Sequence, residues 1–100
     1  MSLQLDDQLN TLLQRLGIPA EEIRSLDAAV LAIARRLARE GCVVVVKIDG
    51  ERESNPCTVV ISGGPLRDTP IRRDAADSVK AVVGATEVFL QVLSRGAAAP

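Results

Sequence analysis

The spacing of apolar residues in the first part of the chain predicts two helices. Leucines recur at helical intervals over residues 5–16, and Gly17 follows as a residue suited to end a helix. A second apolar stripe covers residues 23–37, after Pro19, which is favoured at the first helical position. We predict a single helix for this second segment. The alternative is a break at Ser25, which would cap a shorter helix.

Two blocks of β-branched residues in the middle of the chain predict an antiparallel hairpin, and its register has to be chosen. Asp49 and Gly50 are typical of a two-residue turn, but that turn would set apolar residues against polar ones. A longer loop over residues 49–56 sets valine against valine instead, and we prefer it, with a slip of one residue as the open alternative. Cys42 and Cys57 then lie at opposite ends of the hairpin, so two free thiols are predicted.

This register divides the hairpin into two unlike faces. One face is wholly apolar and is predicted to pack against the helices; it consists of Cys42, Val44, Val46, Ile48, Cys57, Val59 and Ile61. The other face mixes apolar and polar residues, namely Val43, Val45, Lys47, Thr58, Val60 and Ser62. Three valines without an evident cover indicate a second layer or a protein partner.

The last third of the chain predicts a short strand and a long helix. Residues 69–73 are typical of a brief edge strand, although the sequence leaves open whether it forms. A helix is predicted to follow Asp74 as its N-cap, and Gly84 within it is interpreted as a place where another backbone comes close. The predicted fold is a two-layer α+β domain over residues 1–95, with helices on one face of a small antiparallel sheet in the order α-α-β-β-(β)-α. Residues 96–100 are predicted to form a disordered tail.

Composition narrows the classes of function. The 100 residues are 47% hydrophobic and 25% charged, an ordinary balance for one globular domain. A net charge of −1 and a single aromatic residue, Phe89, argue against nucleic-acid binding, because they supply neither a positive field nor stacking surfaces. The chain has no histidine, the commonest general base, and we predict that it is not an enzyme. No apolar segment is long enough for a signal or membrane-spanning sequence, so a cytoplasmic location is predicted.

The hairpin carries the residues that we predict to bind a protein partner. Mobile loops on rigid strands often carry binding residues, and the loop over residues 49–56 is rich in charge. The competing interpretation is a solvated hairpin end without a role. The acidic residues of the loop do not have the spacing of a calcium-binding loop, and no metal or cofactor is predicted. The predicted partner-binding residues are Val43, Val45, Lys47, Glu51, Arg52, Glu53 and Val60.

A second surface, after the hairpin, is a candidate for anion binding. The pair Gly63 and Gly64 follows a strand, where backbone N–H groups can hold an anion beside Arg67, Arg72 and Arg73. The competing interpretation is a turn that needs positive φ, with the arginines in salt bridges to nearby aspartates. The segment lacks the glycine and lysine spacing of the known phosphate-binding loops.

Together these features predict a small interaction module without catalytic activity. We expect either self-association as a homodimer or binding to a stoichiometric partner, as an inhibitor-like protein would bind. The content of alanine and arginine indicates a bacterial source. The alternative function is a nucleic-acid- or anion-binding domain that uses the glycine pair and the three arginines.

Overall fold

The structure is a computed structural model that describes residues 6–98. Its helices are α1 (Asp7–Leu16), α2 (Leu26–Ala38) and α3 (Ser78–Ala98), and its strands are β1 (Cys42–Ile48), β2 (Cys57–Gly63) and β3 (Ile71–Ala75). Short 3-10 turns cover Ala20–Glu22 and Gly64–Leu66. The strands form one antiparallel sheet in the order β1-β2-β3. The predicted α+β class, the element order and the third strand are therefore confirmed.

Helix α1 follows the leucine pattern closely. The Asp6 side chain accepts a hydrogen bond from the Leu9 N–H at 2.7 Å, which caps the helix. Gly17 ends it with a left-handed φ of 73°, as predicted. The apolar stripe is buried at Leu9, Leu12, Leu13 and Leu16, whereas Leu5 lies outside the described residues.

The prediction of one long second helix is wrong, and the break at Ser25 is present. Residues Ala20–Glu22 form a 3-10 turn, and Ile23 is extended, with φ of −89° and ψ of 112°. The Ser25 hydroxyl then accepts a hydrogen bond from the Ala28 N–H at 3.0 Å, and α2 begins at Leu26. A serine that satisfies one of the free amides of the first turn is enough to start a new helix here.

The predicted hairpin register is confirmed. Val46 pairs with Val59, and Ile48 pairs with Cys57. The Asp49 N–H donates to the Pro56 carbonyl at 2.9 Å, so the proline closes the loop without having to donate to the ladder. Both cysteines are free and buried, as predicted.

The apolar face of the hairpin meets the helices only in part. Cys42 is buried, Val44 is half-buried, Val46 is 38% exposed and Ile48 is 70% exposed. The prediction that the whole face is covered is therefore wrong for Val46 and Ile48. On this face exposure rises from Cys42 to Ile48. Helix α2 packs on β1, and no described segment covers the end of the strand at Ile48.

The start of helix α3 also differs from the prediction. Asp74 is not an N-cap but lies in β3, opposite Thr58, because the pairing of β2 with β3 continues to Ala75. Asp77 is the capping residue, and its carboxylate accepts the Lys80 N–H at 2.8 Å. A strand partner on β2 has thus displaced a local capping preference by three residues.

Gly84 in α3 lies beside a side chain, not beside another backbone as predicted. A Cβ atom built at Gly84 would have the Cγ and Cδ atoms of Arg73 as its nearest neighbours, at 3.8 Å. This is ordinary contact distance, so a methyl group would fit against the arginine and packing does not require the glycine. Helix α3 includes residues 96–98, where the sequence predicted the start of a tail, and residues 99–100 lie outside the described part.

Candidate interaction surface

The sheet turns one face away from the helices, and we call it the open face. It consists of Val43, Val45, Lys47, Thr58, Val60, Ser62, Arg72 and Asp74. Val43 is 59% exposed, Val45 is 49% exposed, and Val60 is half-buried between its neighbours. Within residues 6–98 no element lies over the two β1 valines. The structure thus places four of the predicted partner-binding residues, Val43, Val45, Lys47 and Val60, on one surface.

Strand β1 forms one margin of the sheet, and the direction of its backbone groups follows from one hydrogen bond. The bond from the Asp49 N–H to the Pro56 carbonyl marks that pair as hydrogen-bonded. Hydrogen-bonded and non-hydrogen-bonded pairs alternate in an antiparallel ladder, so the odd-numbered residues of β1 bond to β2. The N–H and C=O groups of the even-numbered residues therefore point outward, away from the sheet. We call these groups the outer edge of β1; they belong to Cys42, Val44, Val46 and Ile48.

The two margins of the sheet are unlike. Strand β3 has five residues, follows Pro70, and carries three charged side chains, which are features that keep a sheet edge from pairing with another chain. Strand β1 has seven residues, of which six are apolar, and its pairing with β2 runs from end to end without a bulge. Lys47 is its one charged residue. The β3 margin is therefore better protected against pairing with another chain than the β1 margin, which has a single charge.

Exposed apolar side chains lie on both sides of the outer edge of β1. Val43 and Val45 project on the open face, while Val46 and Ile48 project on the opposite face beyond the cover of α2. Any strand that pairs with this edge would therefore find apolar contacts above and below its own backbone. The sequence pattern missed Val46 and Ile48 as members of this surface.

A polar cluster lies on the β3 side of the open face and orients Arg52 in the loop after β1. The Thr58 hydroxyl donates to Asp74 Oδ1 and accepts a hydrogen bond from Arg52 Nη1 at 3.2 Å. Arg52 and Arg72 both lie 3.5 Å from the same Asp74 oxygen. Arg52 is thereby drawn inward over the sheet. Glu51 and Glu53 of the loop are exposed, whereas Asp49 is half-buried and accepts the Glu51 N–H at 3.0 Å. Lys47 makes only a loose contact with Asp49, at 3.9 Å.

This cluster makes one contribution to stability that depends on pH. The hydrogen bond from Thr58 lowers the pKa of Asp74, and Arg72 and Arg52 lower it further. The charged carboxylate therefore stabilises the fold above the ordinary carboxyl pKa, and this contribution is lost as pH falls through the lowered value. We expect Asp74→Asn to reduce the free energy of unfolding more at about pH 7 than at about pH 3. Urea unfolding at both values measures the difference.

Asp68→Asn serves as the control for that experiment, because Asp68 is an exposed carboxylate that forms no ion pair within the described residues. It is expected to change the free energy of unfolding little at either pH. An equal loss at the two pH values for Asp74→Asn would show that the cluster acts through shape and not through charge.

The structure accounts for the glycine pair without a ligand. Gly63 and Gly64 have positive φ, and a Cβ on Gly64 would lie 2.6 Å from the Glu40 carbonyl oxygen. The pair therefore lets the end of β2 pack against the start of β1. Arg72 lies on the open face, whereas Arg73 lies on the opposite face against α3, so these two predicted anion-binding residues do not share a surface.

A depression of about 350 Å³ lies where the first turns of the three helices meet, lined by Asp6, Leu26, Asp27, Asp77, Ser78, Val79 and Lys80. The carboxylates of Asp6 and Asp77 already accept hydrogen bonds from the amides of their own helices. Their position is explained by capping, and the depression carries no further grouping of chemical interest.

Comparison with known proteins and the chemistry of the side chains add the remaining facts. The chain matches no protein-family model, no curated protein and no solved structure.

Within residues 6–98, no three His, Cys, Asp or Glu residues are grouped as metal ligands would be. No helix in the same range has both the length and the apolar character needed to cross a bilayer. Burial raises the pKa of Cys42, and Glu40 raises it further, which disfavours the reactive thiolate.

Proposed function

We propose that the protein is a small interaction module that binds a protein partner by adding a strand to the outer edge of β1. The observation that carries this proposal is the contrast between the two margins of the sheet: β3 is short, carries three charges and follows a proline, whereas β1 is longer and carries one charge, Lys47. A strand of the partner would complete the hydrogen bonds of the outward N–H and C=O groups. This mode gives affinity through the backbone and specificity through alternate side chains.

The side chains around the edge supply the specificity. Val43 and Val45 would contact one face of an added strand, and Val46 and Ile48 the other. The carboxylates of the loop lie at the end of β1 and favour a partner strand whose basic end lies there. Glu51, Glu53 and Lys47 therefore set orientation in this proposal, while Arg52 holds the loop in place through Thr58 and Asp74.

The wider setting of this function rests on composition and thiols. Two buried, unbridged cysteines support a reducing compartment such as the bacterial cytoplasm. The raised pKa of Cys42 and the absence of histidine support a role that is not catalytic. The alternative of nucleic-acid or anion binding remains a prediction. The Arg67 N–H donates to the Gly64 carbonyl at 3.3 Å, but this bond joins backbone atoms and brings no guanidinium group to the glycine pair.

A proline at the outer edge is expected to weaken binding strongly while leaving the fold in place. The N–H of Val46 points outward, so Val46→Pro removes no hydrogen bond of the β1–β2 ladder but deletes one donor to an added strand. A photo-reactive phenylalanine analogue in place of Ile48, in cells that produce the full chain, detects the partner. We expect discrete covalent adducts that disappear when Val46→Pro is added.

The matched control is Arg72→Pro, which places the same residue at an outward position of the other margin, β3. It is expected to leave the adducts unchanged. Circular dichroism melting of both proline variants checks that each is folded. Adducts that persist with Val46→Pro, or no adducts at all, would contradict strand addition at β1.

A further inference from the structure

We infer that the strand added to β1 is β1 of a second copy of this chain, paired antiparallel about a two-fold axis at Val45. This inference rests on the proposed function and names the partner for the same edge. Two three-stranded sheets would join into one continuous six-stranded sheet, with the helices of both copies on one side and the open faces on the other.

The length and the centre of β1 select this register. Pairing about Val45, the middle residue of the strand, sets Val44 against Val46 of the second copy and Cys42 against Ile48 of the second copy. All four outward residues then find partners, giving about eight cross-strand hydrogen bonds. Moving the axis to Val44 or Val46 leaves one end of the outer edge without a partner strand. Moving it to Lys47 sets two lysines directly opposite each other, which is unfavourable.

The exposed apolar side chains match each other in this arrangement. On the open face, Val45 of each copy meets its counterpart at the axis. Val43 lies opposite Lys47 of the second copy, whose aliphatic stem can cover the valine while its ammonium group stays in water. The two valines that are 59% and 49% exposed in one chain are thus covered by the second copy.

The uneven helical cover of β1 also becomes complementary. The end of the strand, where Ile48 is 70% exposed, comes beside Cys42 of the second copy, where α2 covers the strand. Because the end of β1 carries no helix of its own, there is room there for α2 of the second copy. A parallel arrangement would instead bring the two bare ends together and the two covered ends together.

Charge supports the antiparallel choice. Arg35, Arg36 and Arg39 lie at the C-terminus of α2, shortly before β1 in the chain, where they line a groove beside residues 17–22. Arg36 also pairs with Glu40 at 2.8 Å. In the loop after β1, Glu51 and Glu53 are exposed, whereas the half-buried Arg52 lies 3.5 Å from Asp74. Antiparallel pairing sets the arginines at the end of α2 in each copy beside the acidic loop of the other copy, so opposite charges face each other twice. A second copy carries both of these surfaces.

Engineered disulfides test both the partner and the register in the purified full chain. In a non-hydrogen-bonded pair the two Val45 Cα atoms would be about 4.5 Å apart, within disulfide range. The two Val43 Cα atoms would be about 13 Å apart, four strand positions from each other. We expect Val45→Cys to form a linked dimer under mild oxidation, and Val43→Cys and the native chain to remain unlinked.

Sedimentation equilibrium supplies the second measurement. The native chain is expected at twice its 10.6 kDa mass. Val46→Pro is expected to weaken self-association by about a hundredfold, since each of its two copies deletes a cross-strand bond. Arg72→Pro should behave like the native chain. If Val46→Pro fails to fold, Val45→Asp replaces it, because it sets two carboxylates opposite each other across the axis.

The outcomes separate this inference from the proposed function. A monomeric chain that still gives proline-sensitive adducts with a different protein overturns the second copy and leaves strand addition standing. A monomeric chain that gives no adducts contradicts both the second copy and strand addition. If Val46→Pro leaves dimerisation unchanged, the pairing about Val45 is overturned. A disulfide-linked dimer formed by Val43→Cys and not by Val45→Cys would overturn it as well.

Discussion

Replacing Gly64 with alanine is expected to lower the free energy of unfolding by about 2–4 kcal/mol. Two costs add at this position. The residue has φ of 53°, a left-handed conformation that disfavours a side chain. The new Cβ would also lie 2.6 Å from the Glu40 carbonyl oxygen, a backbone atom that cannot move without displacing the start of β1. Urea unfolding followed by far-ultraviolet circular dichroism measures the loss.

Two other glycines separate the two costs. Gly17 also has positive φ but has no neighbour within 4 Å of a built Cβ, so Gly17→Ala is expected to cost about 1 kcal/mol. Gly50 has neither feature, and Gly50→Ala is expected to be nearly neutral. If Gly64→Ala costs no more than Gly17→Ala, the packing of the end of β2 on the start of β1 is looser than the structure describes.

The example of Gly64 shows which part of a local prediction the sequence supports. Adjacent glycines after a strand predict positive φ, and this is confirmed for Gly63 and Gly64. The contact with Glu40 joins residues 24 positions apart, and nothing in the glycine pair itself identifies that neighbour. The need for positive φ is local and can be predicted from the sequence. The need for a residue without Cβ depends on which atoms the folded chain places beside it.

The hairpin register was predictable for a related reason. Each candidate register specifies a complete set of cross-strand pairs. The two-residue turn sets apolar residues against polar ones, whereas the longer loop pairs Val46 with Val59 and Val45 with Val60. The slip of one residue also pairs valines, and the structure decides against it. The cover of β1 was not predictable, because Val44 and Val46 are the same residue on the same face and yet differ in exposure. That difference depends on where α2 crosses the sheet, which the residues of β1 do not encode. The sequence therefore predicts the exposed residues Val43 and Val45 of the candidate edge site but not Val46 and Ile48.

Asp74 shows how a tertiary contact overrides a local preference. Asp74 and Asp77 are both good capping residues just before the apolar stripe of α3. Pairing with β2 places Asp74 opposite Thr58, and the Asp74 carboxylate accepts a hydrogen bond from the Thr58 hydroxyl. Asp77 then caps the helix. The sequence contains both candidates but does not contain the strand partner that decides between them.

Phe89→Ala is expected to have the largest effect on stability of any single change, a loss of about 3–5 kcal/mol in the free energy of unfolding. Phe89 is the one aromatic residue of the chain and is 1% exposed, on the helix that packs against β2 and β3. Truncation removes its apolar contacts and leaves a cavity that the neighbouring Val, Leu and Ile side chains fill only partly. The better helix propensity of alanine offsets about 0.5 kcal/mol of the loss.

A loss of this size is a large part of the total for a domain of 100 residues, which is typically about 5–15 kcal/mol. The melting temperature should fall by about 15–30 °C. All variants are to be measured at one low protein concentration, because the proposed self-association would add a stabilisation that depends on concentration. Under those conditions the denaturant slope should stay unchanged, so the midpoint alone reports the loss.

Phe89→Leu is the matched control, because it keeps the position apolar and retains much of the volume. It is expected to cost less than about 1.5 kcal/mol, since similar apolar residues repack with little strain. A wide gap between the two variants places Phe89 at the centre of the contact between α3 and the sheet. If Phe89→Ala instead costs no more than Phe89→Leu, α3 closes over the missing ring, and the aliphatic residues alone hold the helix on the sheet.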